Sequence, residues 1–183
     1  MNVAKKFAVY ALFVVLAVIV SGVYGMAHDQ ISYAVSSEYF TRFKFRQFDL
    51  VDTPLPNRVR AAMVGFLATW WMGVPVGMFV GLAGFIHRGA RRMLRVLLGS
   101  MLVAVVFTLL FGLCGLLYGY FQTAHIDLAD YRGWFIPDGL IDLRRYLCVG
   151  YMHNASYLGG SLSIFVAWAF HAVARVKQRS SLE

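Results

Sequence analysis

The chain has 183 residues, of which 60% are hydrophobic and only 14% are charged. Soluble domains carry roughly 25% charged residues, so the composition excludes an ordinary soluble domain and indicates a protein that uses lipid as its solvent. The formal net charge of +8 lies in short segments between apolar runs, which is not the pattern of a nucleic-acid-binding surface.

Four long runs without a charged residue predict four transmembrane helices. A helix needs about 20 apolar residues to cross the hydrocarbon core, and the runs lack the alternating polarity of transmembrane β-strands. We therefore predict an all-α integral membrane protein, a four-transmembrane-helix bundle with two structured extracytoplasmic loops. The predicted spans are 7–27, 61–86, 96–121 and 147–171, and the predicted outer loops are 28–60 and 122–146.

Residues 1–181 are predicted to form a single membrane domain, and 182–183 are interpreted as the remnant of a purification tag. A cleaved signal peptide is the alternative for the first span. Lys5 and Lys6 precede its apolar run, and small residues at 25–27 resemble a cleavage site. The run is long for a signal peptide, which favours a membrane span.

Basic residues are distributed unevenly between the two sides of the predicted bundle. The N-terminus, the short loop after the second span and the C-terminal tail together hold nine basic residues and one acidic residue. The two long loops hold eight of each sign. Because basic segments stay in the cytoplasm during insertion, both termini are predicted to be cytoplasmic, in a bacterial inner membrane. The basic face is expected to contact anionic lipid headgroups.

Aromatic and basic side chains alternate in the first long loop, between residues 37 and 48. Phe40, Phe43 and Phe48 share approximately one face if this segment is helical. The pattern predicts an amphipathic element that lies at the outer membrane interface.

Small residues recur every four positions along the last three predicted spans. Such residues let helix backbones approach closely in lipid, so they predict tight packing within the bundle. A homo-oligomer interface on one of these faces is the alternative. The glycines assigned to helix packing are Gly65, Gly73, Gly77, Gly81, Gly115, Gly119 and Gly159.

Three histidines are predicted to lie at similar depth, at the outer ends of three spans. Imidazole and carboxylate groups are ligands of divalent transition metals, and zinc or copper would suit this set. Haem is not favoured, because it would require facing axial histidines close to the outer surface. The predicted metal ligands are His28, Asp29, His125, Asp127 and His153, with Glu38 as an added ligand from the first loop.

The leading functional hypothesis is an outward-facing metal site that serves metal handling or a metal-dependent membrane reaction. The alternative is a non-enzymatic scaffold or accessory subunit that acts through the glycine faces and the aromatic-basic loop. A third hypothesis is an oligomeric channel or transporter, since four helices alone leave little room for a pore. The chain has no nucleotide-binding loop and no nucleophile motif, so the sequence does not decide whether the protein is an enzyme.

Overall fold

The computed structural model describes residues 3–180, so the predicted tag remnant at 182–183 lies outside the described part of the chain. Within residues 3–180 the structure is helical and contains no β-strand. Four helical stretches are long and apolar enough to cross a membrane, which confirms the predicted helical class and the number of candidate spans. These stretches are Val3–Val35, Asn57–Ile86, Ala90–Gln122 and Leu143–Lys177.

The first, third and fourth stretches are continuous α-helices, whereas the second is divided by short 3₁₀ turns. A π-helical turn and a single α-helical turn lie between the first two stretches. In chain order the α-helices are α1 (Val3–Val35), α2 (Phe45–Gln47), α3 (Asn57–Thr69), α4 (Gly73–Ala83), α5 (Ala90–Gln122) and α6 (Leu143–Ser180). The π-helical turn is Tyr39–Lys44. The 3₁₀ turns are Trp70–Met72, Gly84–Ile86 and Leu128–Tyr131.

Pro75 explains the break inside the second stretch. Proline has no backbone N–H, so the carbonyl of Trp71 cannot receive the usual bond from the residue four positions later. A 3₁₀ turn at Trp70–Met72 precedes α4, and Pro75 occupies the first turn of α4, where a missing N–H costs least.

The four candidate spans pack mainly as two pairs: α1 packs with the second span, which contains α3 and α4, and α5 packs with α6. Gly25 and Gly65 mark the closest approach in the first pair, because a Cβ on either residue would collide with the backbone carbonyl of the other. All seven glycines assigned to packing face a neighbour within the chain. Each of the other six lies so close to one residue that a Cβ would contact it. Gly73 and Gly77 face Ala17, Gly81 faces Tyr10, Gly115 faces Ala155, Gly119 faces Tyr151, and Gly159 faces Phe111.

Aromatic side chains form a compact cap over one end of the bundle. Phe40 and Phe45 of the first loop are buried there against Tyr131 and Tyr146. Phe40, one of the three aromatic residues of the predicted amphipathic element, is fully buried in the protein, and the position of this element at a membrane interface stays a prediction. Phe40 lies in the π-helical turn and Phe45 in α2, and both rings bury a large apolar area in the cluster that contains Tyr131 and Tyr146.

Candidate metal centre

Two helices bring together three of the predicted metal ligands. His28 and Asp29 are consecutive residues of α1, and His153 lies on α6. Each offers one ligand atom, and these atoms all lie within 4.8 Å of one another. The side chains are buried, although aspartate is seldom buried unless it is paired. We call these three residues the His/Asp group.

Asp29 is the centre of the group. Its Oδ1 lies 3.0 Å from Nδ1 of His28 and 3.2 Å from Nε2 of His153. The hydroxyl of Ser32, one turn further along α1, also lies 3.4 Å from the same oxygen. One carboxylate oxygen therefore faces two imidazoles and a hydroxyl in a buried site.

The second nitrogen of each imidazole also has a partner. Nδ1 of His153 donates to the backbone carbonyl of Val149 at 2.9 Å, one turn earlier in α6. Nε2 of His28 lies 2.9 Å from the hydroxyl of Ser156, which in turn lies 3.5 Å from the hydroxyl of Tyr24. Such outer partners fix the orientation of histidine ligands in metal sites.

The group lines one end of a partly open cavity of about 100 Å³. The cavity lies among α1, α3, α4, α5 and α6, and its walls beyond the group are largely apolar. Its far end is lined by Phe13 of α1 and Val80 of α4. The His/Asp group thus borders a partly open space between the helices.

The aromatic cap covers the His/Asp group on the side of the first loop. The ring of Tyr39 stacks on His153 with centroids 4.9 Å apart, and the ring of Phe40 lies 6.3 Å from the same imidazole. Burial raises the pKa of Tyr39 well above its ordinary value. The phenol therefore stays neutral and contributes no charge to the group.

The other three predicted ligands have different surroundings. His125 is exposed, and Asp127 is exposed while its carboxylate accepts the N–H of Ala129 at the start of a 3₁₀ turn. Glu38 accepts the N–H groups of Ile141 and Asp142, both at 2.9 Å. The structure does not bring these three side chains into the His/Asp group.

Several residues around the group were not predicted from the sequence. Ser32 and Ser156 lie one turn from a histidine or aspartate on the same helix, which is a signal the sequence contained. The stacking of Tyr39 had no such signal, because it depends on how the first loop folds back over the bundle.

A second buried histidine pair lies at the opposite end of the bundle. Nε2 of His87 lies 2.9 Å from Nδ1 of His171, and Nε2 of His171 lies 3.1 Å from the hydroxyl of Ser100. Lys6 of α1 joins this end by donating to the carbonyls of Phe85 and His87, at 3.0 and 2.6 Å. Burial, and then the positive charges of nearby basic residues, lower the pKa of His87 below 6.5.

The fold and the site together define a helical protein with four helices long and apolar enough to span a membrane and a buried His/Asp group beside a partly open cavity. Comparisons with models of protein families, with curated proteins and with solved structures found no match.

Proposed function

We propose that this chain is a membrane protein that binds a divalent transition metal ion through His28, Asp29 and His153. The metal would serve metal handling or a metal-dependent membrane reaction. Zinc and copper suit a site of two imidazoles and one carboxylate.

The observation that carries the proposal is the pairing of His153 with Asp29. Nδ1 of His153 must carry the hydrogen in its bond to Val149, because a carbonyl oxygen can only accept a hydrogen bond. In a neutral imidazole Nε2 then carries a lone pair, and this lone pair faces Oδ1 of Asp29 at 3.2 Å. Two acceptors at that distance need a cation between them, either a proton or a metal ion.

The spacing of the ligand atoms also suits a metal. Bonds of about 2.0 to 2.2 Å to a tetrahedral metal ion place ligand atoms about 3.3 Å apart. The distances from Oδ1 of Asp29 to the two histidine nitrogens, 3.0 and 3.2 Å, are close to this value, and the two nitrogens lie within 4.8 Å of each other. Three protein ligands would leave a fourth position open, as in catalytic zinc sites.

The distribution of charge supports an orientation with both termini in the cytoplasm of a bacterial cell. His28 and His153 would then lie toward the outer side of the inner membrane. The basic segments at the other end would lie against anionic headgroups.

A scaffold or accessory subunit built on the glycine faces has less support. The closest approaches of these glycines are to residues of the same chain, as between Gly25 and Gly65. A partner helix or a second copy would have to use other surfaces. The same argument applies to an oligomeric channel assembled through these faces.

The test is elemental analysis of detergent-purified protein after exposure to zinc or copper and removal of loosely bound ions. We expect close to one metal ion per chain. His28→Ala, His153→Ala and Asp29→Asn should each lower this stoichiometry by at least a factor of ten, whereas His125→Ala should retain it, because His125 is exposed and apart from the group. Cobalt loading provides a second readout, since its visible absorption reports ligand number and geometry.

Absence of bound metal in the wild type after loading with either ion would refute the proposal. An equal loss in the His125→Ala variant would show that the metal binds elsewhere. Helix content measured by circular dichroism separates loss of a ligand from loss of the fold.

A further inference from the structure

The end of the bundle opposite the His/Asp group is basic, and few acidic residues are available to balance it. Residues 1–28, 53–126 and 143–182 contain no aspartate or glutamate. Helix α5 begins at this end, and its first turn contains Arg91 and Arg92 but no acidic residue. The partial positive charge of a helix N-terminus therefore lies beside two arginines, which favours an anion at this position.

Space is open beside the start of this helix. A Cβ built on Gly89, the N-cap residue, meets no atom within 4 Å. Gly89 also has no side chain that could accept the free N–H groups of the first turn. The second candidate span ends at Ile86 and the third begins at Ala90, so in a bilayer this space lies near the level of the headgroups.

Two buried side-chain nitrogens at this end have no hydrogen-bond partner within the described residues 3–180. They are Nε of Arg92 and Nδ1 of His87. His87 is only 1% exposed, and Arg92 has the largest effect on it among the charged side chains, which places the two residues close together. Because buried polar nitrogens almost always have a partner, two without one at the same place indicate room for a bound polar group.

The hydrogen bonds of the buried histidine pair determine what His87 offers. Ser100 donates its hydroxyl hydrogen to the carbonyl of Leu97 at 2.9 Å, so Nε2 of His171, 3.1 Å away, donates to that hydroxyl. Nδ1 of a neutral His171 then accepts from Nε2 of His87 at 2.9 Å. A neutral imidazole carries one hydrogen, so Nδ1 of His87 is left with a lone pair. The site therefore presents a donor on Arg92 and an acceptor on His87.

One kind of headgroup satisfies both nitrogens. A phosphodiester oxygen can accept from Arg92, and its charge also balances that of Lys6, a buried ammonium that donates to two backbone carbonyls. A hydroxyl on the same headgroup can donate to His87. An ammonium headgroup could also donate, but Lys6 and Arg92 would repel its positive charge.

We infer that Arg92, His87 and the N-terminus of α5 form a binding site for an anionic phospholipid whose headgroup carries a hydroxyl, of the phosphatidylglycerol class. The phosphate lies at the helix start beside Arg92, and the hydroxyl donates to Nδ1 of His87. The site needs no metal. It specifies one lipid at an end of the bundle where the proposed function includes only a general contact with anionic headgroups.

Native mass spectrometry of the metal-free protein in detergent tests the site, with dioleoyl phosphatidylglycerol and dioleoyl phosphatidylmethanol as probes. The two lipids have the same charge and the same chains, and only phosphatidylglycerol has headgroup hydroxyls. We expect phosphatidylglycerol to bind at least fivefold more tightly. Glycerol 1-phosphate or inorganic phosphate at the same concentration should not displace it. Displacement by either would assign the site to a soluble phosphate and overturn the assignment to a lipid.

Two substitutions in the first turn of α5 form a matched pair. Arg92→Gln removes the charge and the Nε that has no partner, whereas Arg91→Gln removes the same charge from an exposed side chain. Binding of phosphatidylglycerol should weaken at least fivefold in Arg92→Gln and less than twofold in Arg91→Gln. Equal losses would show a general attraction to the basic surface, and the proposed site would be wrong.

His87→Gln tests the hydroxyl contact separately. The glutamine amide can replace Nε2 and donate to His171, but it leaves no atom at the position of Nδ1. We expect this variant, with helix content unchanged by circular dichroism, to bind the two lipids equally. A retained preference for phosphatidylglycerol, or equal binding of both lipids by the wild type, would overturn the headgroup assignment. Either result would leave the proposed metal site unaffected, because the metal-free protein is measured.

Discussion

The phenol ring of Tyr39 stacks on the imidazole of His153, with an angle of 28° between the planes and 4.9 Å between the centroids. Tyr39 belongs to the π-helical turn of the first loop, and His153 lies on α6. This contact joins the loop to the His/Asp group. The first loop therefore covers the His/Asp group on one side.

Tyr39→Ala is expected to expose the group and weaken the cap. Loss of a buried aromatic ring should lower the free energy of unfolding by about 3–5 kcal/mol. Zinc should then leave the protein faster when a soluble chelator is added. Tyr39→Phe keeps the stacked ring and serves as the control. An unchanged rate of zinc loss in Tyr39→Ala would show that the cap does not limit access to the group.

Glu38→Ala is expected to lower the stability of the protein without reducing the amount of bound metal. The Glu38 carboxylate accepts two N–H groups just before α6, one exposed and one partly buried. Because water can replace part of this bonding, their loss should lower the free energy of unfolding by about 0.5–1.5 kcal/mol. Zinc stoichiometry should remain that of the wild type. A variant that is stable but fails to bind zinc would return Glu38 to the set of metal ligands, as the sequence predicted.

Gly65→Ala is expected to disrupt the packing of α1 against α3. The new methyl group would overlap the backbone of Gly25, and backbone atoms cannot move aside as a flexible side chain can. Overpacking of this kind costs about 1–3 kcal/mol or more, which thermal unfolding in detergent will detect. Gly133→Ala is the control, because a Cβ at Gly133 meets nothing within 4 Å. Equal stability of the two variants would contradict the close approach.

His87 should make stability depend on pH. Burial and the nearby charges of Arg92, Arg175 and Lys6 lower its pKa below 6.5 in the folded protein. As the pH falls through about 6.5, the unfolded chain therefore takes up a proton that the folded chain does not. The contribution of His87 to the free energy of unfolding is complete above this pH and is lost as the pH falls below it. The loss is about 1.4 kcal/mol for each unit by which the pKa of His87 is lower in the folded than in the unfolded chain.

The measurement for His87 is thermal unfolding in detergent across this pH range. His87→Gln removes the titrating group, so the fall in stability on acidification should become smaller. His125→Gln changes an exposed histidine and should leave the pH dependence as in the wild type. A wild-type pH dependence in His87→Gln would show that His87 does not contribute to it.

The residues of the His/Asp group could be predicted from the sequence only in part. His28, Asp29 and His153 were among the predicted ligands because each lies near the end of an apolar run. His125 met the same criterion, yet it lies exposed in a turn after α5. Depth along a helix can be estimated by counting residues, but a residue beyond the helix end follows the path of a loop, which periodicity does not define.

The sequence by itself determined the class of this protein: a helical chain with four segments long and apolar enough to cross a membrane. That information is local, since it depends on the length and composition of continuous runs. Only the tertiary structure decided that α1 and α6 present His28, Asp29 and His153 to one another, that Tyr39 covers them, and that a cavity lies beside them. Those features depend on helix rotation and pairing, which are set by side-chain packing between segments far apart in the chain.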